Sequence, residues 1–154
     1  MRRKLKVGLI YSGRSDYPAP FKPIPPRWTW GIYKDTKEGA LLQAPYTVYK
    51  TRRACVRSLN RVVNAIRHGE FQVYKGMDWN VSSPGMLTAN IRYSSGHLGW
   101  QIVLISANHR LAAISSAFAT SALASRAWWA MREDLHKHNF CRFEFGPKRE
   151  TTNC

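Results

Sequence analysis

The sequence predicts an α+β protein made of two tandem β-β-β-α repeats, with antiparallel sheets that are each covered by one helix. Short segments of alternating apolar residues precede two helical segments, which is the order of elements in such a unit. The same order occurs in both halves of the chain at an offset of about 70 residues, a sign of an internal repeat. With 154 residues and 44% hydrophobic content, the chain can bury a core.

Each half has its own predicted strands and helix. Thr51 and Thr120 are placed as N-caps of the two helices, and His68 with Gly69 is placed as the stop of the first. The repeat alignment sets Trp30 against Trp100. The predicted strands cover residues 4–12, 27–35 and 40–44 in the first half, and 70–76, 98–106 and 110–115 in the second.

The repeat divides the chain into three parts. Residues 1–69 form a strongly basic first unit, residues 70–139 a nearly neutral second unit, and residues 140–154 a tail that adds a short strand. Residues 77–95 contain a further alternating segment, which predicts one additional strand in the second unit.

Several short segments resemble the YegP-like family of small bacterial proteins, which consist of tandem β-β-β-α repeats. Residues 71–75, 108–115 and the pair Trp100 and Ile102 look like that repeat's first strand, turn with third strand, and tryptophan strand. Phe118 with Thr120 looks like its helix start, and Trp28, Trp30 and Tyr49 are the weaker matches of the first half. The resemblance implies the repeat fold and no particular biochemical activity.

The charge of the chain points to an anionic partner. Twenty-four Lys and Arg against nine Asp and Glu give a net charge of +15. Residues 1–69 carry 15 basic and 3 acidic residues, so the first half holds most of the positive charge. Such an excess exceeds what solubility needs and is typical of proteins that bind polyanions. Nucleic acid, an anionic membrane surface and an acidic protein all satisfy this criterion.

The first predicted helix, within residues 50–69, has five arginines, one lysine and no acid. Arg53, Arg57 and Arg61 recur every fourth residue and therefore share one face. Solvated helix faces usually mix charges of both signs, so an acid-free row favours binding to phosphates. Lys50 and Arg52 extend this candidate site. Its predicted buried face is formed by Cys55, Leu59, Val62, Val63 and Ile66.

The predicted sheet offers a second candidate surface. Alternation along the first two strands places the apolar residues and the tryptophans on the core side. The opposite side then presents Lys4, Lys6, Arg27 and Tyr33, a combination suited to phosphate contacts and base stacking.

The second half has features of a protein-binding surface. In the strand at 98–106, Val103 and Ile105 lie on the side opposite the core-facing residues, so this strand is predicted to be covered on both sides. The other repeat, a second copy or a different partner could supply that cover. Trp129 follows a predicted core position and is expected to project outward as an anchor.

Catalytic and cofactor motifs are weak in this sequence. The densest group is Glu133, Asp134, His136, His138 and Cys141, but His136 and His138 point in different directions on a helix. We therefore expect no enzyme activity, no cofactor and no metal. The three cysteines form no CxxC pair, which favours a reducing compartment, and no apolar run is long enough for a signal peptide or membrane span, so we expect a cytoplasmic protein.

Two functions remain open at this point. The first is a non-enzymatic nucleic-acid-binding protein that uses the basic helix and sheet face to bind the phosphate backbone of DNA or RNA with weak sequence specificity. The alternative is a small phage or mobile-element protein that binds and inhibits an acidic host protein, with the second repeat as the interface for that partner or for a homodimer.

Overall fold

The computed structural model describes residues 4–11, 27–35, 39–45, 49–69, 71–75, 87–106, 110–146 and 150–153. These residues form two helices and one sheet, so the α+β class is confirmed. The elements in chain order are β1 (Leu5–Tyr11), β2 (Trp28–Tyr33), β3 (Leu42–Gln43), α1 (Arg52–Arg67), β4 (Phe71–Lys75), β5 (Leu87–Ser94), β6 (Gly99–Ile105), β7 (Leu111–Ile114), α2 (Ser121–His136), β8 (Phe140–Phe145) and β9 (Glu150–Asn153).

The described strands form a single mixed sheet rather than two antiparallel sheets. Its nine described strands run in the order β4-β5-β6-β7-β3-β2-β1-β8-β9. The two halves meet where Gln43 of β3 pairs with Ile114 of β7. The strand after each helix joins the other half in parallel, because β4 pairs with β5 and β8 pairs with β1. The prediction of separate antiparallel sheets was therefore wrong.

The first strand of the second half was also misplaced. The segment predicted as its first strand is β4, which lies at a sheet edge. The strand that pairs antiparallel with β6 is instead β5.

The alignment of the tryptophans in the two halves also differs from the prediction. Trp28 bridges to Tyr49 and Trp100 bridges to Phe118, so these two tryptophans correspond. The predicted match of Trp30 with Trp100 was wrong by two residues, because Trp28 and Trp30 share one strand face.

Both helices lie on the same face of the sheet and close the main core. The side chains of α1 that become buried are Cys55, Leu59, Val62, Val63 and Ile66, as the periodicity predicts. The predicted N-caps are confirmed, since the Thr51 and Thr120 hydroxyls accept the backbone N–H groups of Ala54 and Leu123. The helix ends correspond too, with left-handed backbone at Gly69 (φ 69°) and His138 (φ 56°).

A partly buried hydrogen-bond network connects α1 to the sheet. The Trp30 indole N–H donates to Ser58 Oγ at 3.1 Å, and Ser58 Oγ lies 2.6 Å from the Tyr49 hydroxyl. Trp30 is 0% exposed, so water cannot replace a lost partner of its N–H group. Ser58 therefore fixes the rotation of α1 about its axis relative to β2.

We expect Ser58→Ala to lower the free energy of unfolding by about 1–3 kcal/mol, because it leaves a buried N–H group unsatisfied. Urea unfolding measures this change. Ser125→Ala is the matched control, since Ser125 is a partly buried residue in the middle of α2. Equal stabilities of the two variants would contradict a structural role for the Ser58 hydroxyl.

The described cysteines differ in their oxidation state. Cys55 is a free thiol, fully buried between α1 and the sheet. Cys141 is disulfide-bonded, and the third cysteine of the sequence, Cys154, lies outside the described residues. Because Cys141 is oxidised, it does not support the expectation of a reducing compartment.

We expect a single slow-reacting thiol in the oxidised protein. Burial raises the pKa of the Cys55 thiol to about 11, so the reactive thiolate is scarce in the folded state at pH 8. A colorimetric thiol reagent should therefore detect no free thiol in the native protein and one thiol per chain in denaturant. Three thiols in denaturant before any reduction would contradict the disulfide.

Candidate nucleic-acid interface

A row of three arginines runs along the outer face of α1. Arg53, Arg57 and Arg61, here called the arginine stripe, are all exposed. Four residues of helix rise separate neighbours by about 6 Å, so the stripe is about 12 Å long. Within the part of the chain that the structure describes, none of the three makes a hydrogen bond or ion pair. The guanidinium groups are therefore available to an anion.

The local charges of α1 disfavour this arrangement in the absence of a partner. Its first turn contains no acidic residue, although a helix N-terminus carries a positive partial charge that favours anions. Like charges four residues apart also repel by a few tenths of a kcal/mol per pair. A bound anion would relieve both effects.

The second helix shows the contrasting arrangement. Arg126 of α2 lies at the position that corresponds to Arg57, but α2 balances two arginines with two acids. Glu133 also accepts a hydrogen bond at 2.7 Å from Lys137, one turn further along the chain. The positive face is thus a property of α1 and not of the shared architecture.

Arg52 does not belong to the free cations of this helix. Its Nε and Nη2 groups donate to Glu144 Oε1 of β8 at 2.9 and 2.6 Å. The hydrogen bond to Glu144 raises the pKa of Arg52. The prediction of Arg52 as a phosphate ligand was wrong, because its guanidinium already forms an ion pair with Glu144 and thereby connects α1 to β8. Lys50 lies exposed immediately before the helix, beside the stripe.

The sheet residues of the predicted site face away from the arginine stripe. Lys4, Lys6 and Arg27 alternate with core residues and point to the face opposite the helices. Tyr33 lies on that face too, with its ring over Gly31 and its centroid 6.0 Å from that of Phe143. Desolvation raises the pKa of Tyr33, in keeping with a ring packed within the chain. One strand of nucleic acid cannot contact both faces at once, so the predicted set divides into two surfaces.

The predicted partner-binding residues also fall into two groups, one exposed and one buried. Trp129 is 44% exposed, with the Arg132 guanidinium 5.1 Å from its ring centroid. Val103 and Ile105 are only 1% and 3% exposed and pack with Ile114 on the face opposite the helices. Their assignment to a partner surface was wrong, because the folded chain already covers them.

The structure also brings together residues that the sequence analysis did not single out. The end of α1 and the start of β8 border an open cleft of about 360 Å³, here called the helix-end pocket. Arg67 donates a hydrogen bond to His138 Nε2, and the Arg142 guanidinium lies 5.7 Å from the Phe140 ring centroid. The segment around Phe140 was predicted as a tail with a short strand, which is β8, and nothing local indicates that this strand returns beside α1. The lining side chains include Val63, Asn64, Arg67, His138, Phe140 and Arg142.

Among the described residues, no three His, Cys, Asp or Glu side chains are close enough to share a metal ion. Asp134 is instead buried, and its carboxylate accepts a hydrogen bond from the Asn139 side chain at 3.2 Å. No helix among the described residues is long and apolar enough to cross a membrane.

Comparison with protein-family models, with curated proteins and with solved structures found no match to this chain. The resemblance to the YegP-like family therefore stays a prediction.

Proposed function

We propose that the protein is a non-enzymatic nucleic-acid-binding protein that holds the phosphate backbone on the arginine stripe. The observation that carries the proposal is the contrast between the helices. Arg53, Arg57 and Arg61 stand exposed and unpaired within the described part of the chain, whereas α2 balances its charges. A charge of +15 provides the long-range attraction that brings a polyanion to this face.

Binding at the stripe is expected to depend on salt and weakly on base sequence. Guanidinium groups form charge-assisted, often bidentate hydrogen bonds with phosphate, and each phosphate neutralised releases counterions. Phosphate contacts position a protein on nucleic acid but do not read its bases. Lys50, exposed just before the N-cap Thr51, adds a fourth cation near the start of the stripe.

The test is a binding measurement by fluorescence anisotropy at two salt concentrations, with labelled single-stranded DNA, single-stranded RNA and duplex DNA. The proposal expects binding that weakens steeply as salt rises. Absence of binding to all three probes at low salt would overturn it.

We also infer that the two halves derive from one duplicated β-β-β-α unit that is followed by an exchanged strand. Corresponding contacts support this interpretation. The ring pairs Tyr11–Trp28 and Tyr93–Trp100 lie at 4.9 and 5.8 Å between centroids. The backbone bond from Ala44 N–H to Trp30 O recurs as the bond from Ser115 N–H to Ile102 O. In this proposal the first half supplies the charge and the second half completes the sheet.

A second candidate function follows from one observation, the exposed ring of Trp129. A tryptophan with 44% of its surface exposed, beside the cation of Arg132, is typical of an anchor in a protein interface. The partner would be an acidic protein, for example a host protein that a phage or mobile-element product inhibits. If no nucleic acid binds, this candidate takes precedence.

A further inference from the structure

The helix-end pocket lies beyond the C-terminal end of the arginine stripe on α1. Asn64 lies three residues after Arg61, on the same exposed side of the helix, and it lines the pocket together with Arg67. The rise along the helix axis from Arg61 to Arg67 is about 9 Å, and at about 100° per residue Arg67 lies about 120° around the axis from Arg61. A strand that follows the stripe would therefore have to turn around α1 towards β8 to reach the pocket.

The chemistry of the pocket suits one nucleotide. Arg67 and Arg142 provide two guanidinium groups, and the lining residues include no carboxylate. The His138 and Phe140 rings provide aromatic surface, with centroids 5.8 Å apart and planes inclined by 18°. Arginine can only donate hydrogen bonds, so His138 Nε2 is the acceptor of the bond from Arg67. Cations for phosphate thus lie beside flat rings for a base.

The backbone of His138 adds a second, independent indication. Its φ of 56° is in the left-handed region, where glycine is favoured and where the corresponding Gly69 lies. Strained backbone of this kind is concentrated at functional sites. Compared with glycine, histidine at this position places a ring beside the pocket, but its left-handed backbone is strained.

We propose that the helix-end pocket holds an unpaired nucleotide of a single-stranded nucleic acid, with its base against the rings of His138 and Phe140 and its phosphate between Arg67 and Arg142. This inference rests on the proposed function and specifies its substrate. Bases in a duplex are stacked and paired, so inserting one into the pocket costs the free energy of unpairing it, which a single strand does not require. The protein therefore prefers single strands to duplexes of equal length.

The test measures anisotropy with a 12-nucleotide single strand and with the same strand annealed to its complement. We expect His138→Gly to weaken single-strand binding roughly five-fold or more, as expected for the loss of a stacked base, while duplex binding changes less than two-fold. The variant should melt no earlier than the parent, because glycine suits the left-handed backbone. His138→Asn retains a hydrogen-bond acceptor but lacks the ring, and it should show the same loss.

The charge in the pocket is tested separately. Arg142→Gln should weaken single-strand binding more than the matched control Arg126→Gln, which removes one exposed arginine from α2.

A titration with AMP alone, followed by NMR on the His138 ring protons, distinguishes binding of a free nucleotide from binding of a strand. We expect AMP to bind at least ten-fold more weakly than the strand. Equal affinities of AMP and the strand would show that the pocket binds a free nucleotide and would overturn the proposal of a single-stranded ligand.

The two proposals fail in different ways. If His138→Gly and the parent bind single strands equally while loss of the stripe abolishes binding, the pocket proposal is overturned and the proposed function stands. If the parent binds neither the strands nor the duplex, the proposed function fails and the pocket proposal falls with it.

Discussion

Replacing Arg53, Arg57 and Arg61 together by glutamine is expected to weaken nucleic-acid binding about 100-fold at low salt, at roughly 1 kcal/mol for each lost charge-assisted contact. Four cations, the stripe and Lys50 at its start, predict a slope of log K against log salt of about −3 to −4. The triple variant should reduce the magnitude of that slope by about two to three. Anisotropy titrations at several salt concentrations measure both effects.

The triple variant should fold normally. Its three positions are exposed, the buried face of α1 is unchanged, and glutamine is a good helix former. Circular dichroism and thermal melting check this point. The matched control is the triple replacement of Arg110, Arg126 and Arg132 by glutamine, which lowers the net charge by the same three units at exposed positions outside α1. If both triple variants lose affinity equally, net charge and not the stripe drives binding.

Much of the interface could be predicted from the sequence because it depends on local periodicity. The spacing of Cys55, Leu59 and Ile66 determines which face of α1 is buried, and the exposure of the stripe follows from that face. Thr51 as N-cap is a local signal of the same kind. These features involve residues within a few turns of one another.

The features that the sequence did not indicate depend on contacts between distant segments. Glu144 lies 92 residues from Arg52, and no local pattern indicates their ion pair. The helix-end pocket joins Arg67 to His138 over 71 residues. The exchange of strands between the two halves could not be predicted for the same reason. The alternating sequence of β4 is compatible with any sheet edge, and only the packing of the whole chain determines that it pairs with β5.

The position of β8, which carries Glu144 and Arg142, depends on one close approach to β1. Gly8 of β1 pairs with Phe143 of β8 on one side and with Gly31 of β2 on the other. A Cβ atom at Gly8 would lie 2.6 Å from Phe143 Cγ and 2.8 Å from the Phe143 carbonyl carbon. Because backbone is involved, a change of rotamer cannot remove the clash. The missing side chain is therefore required for the parallel pairing of β1 with β8.

We expect Gly8→Ala to lower the free energy of unfolding by about 3 kcal/mol or more, at the upper end of overpacking in a core. For a chain of this size that corresponds to a fall in Tm of roughly 6–12 °C. The reduction of unfolded-state entropy by alanine offsets at most about 1 kcal/mol of this loss. Differential scanning calorimetry provides the measurement.

Gly96→Ala is the control for Gly8→Ala, since a Cβ at Gly96 meets no atom within 4 Å. Its Tm should stay close to that of the parent, as expected for a substitution in open space. Because β8 also holds Arg52 and borders the helix-end pocket, Gly8→Ala should weaken single-strand binding even at temperatures where the protein remains folded. A Tm within 2 °C of the parent would show that β1 and β8 can separate enough to admit a methyl group, and that the exchange of β8 contributes little to the stability of this sheet.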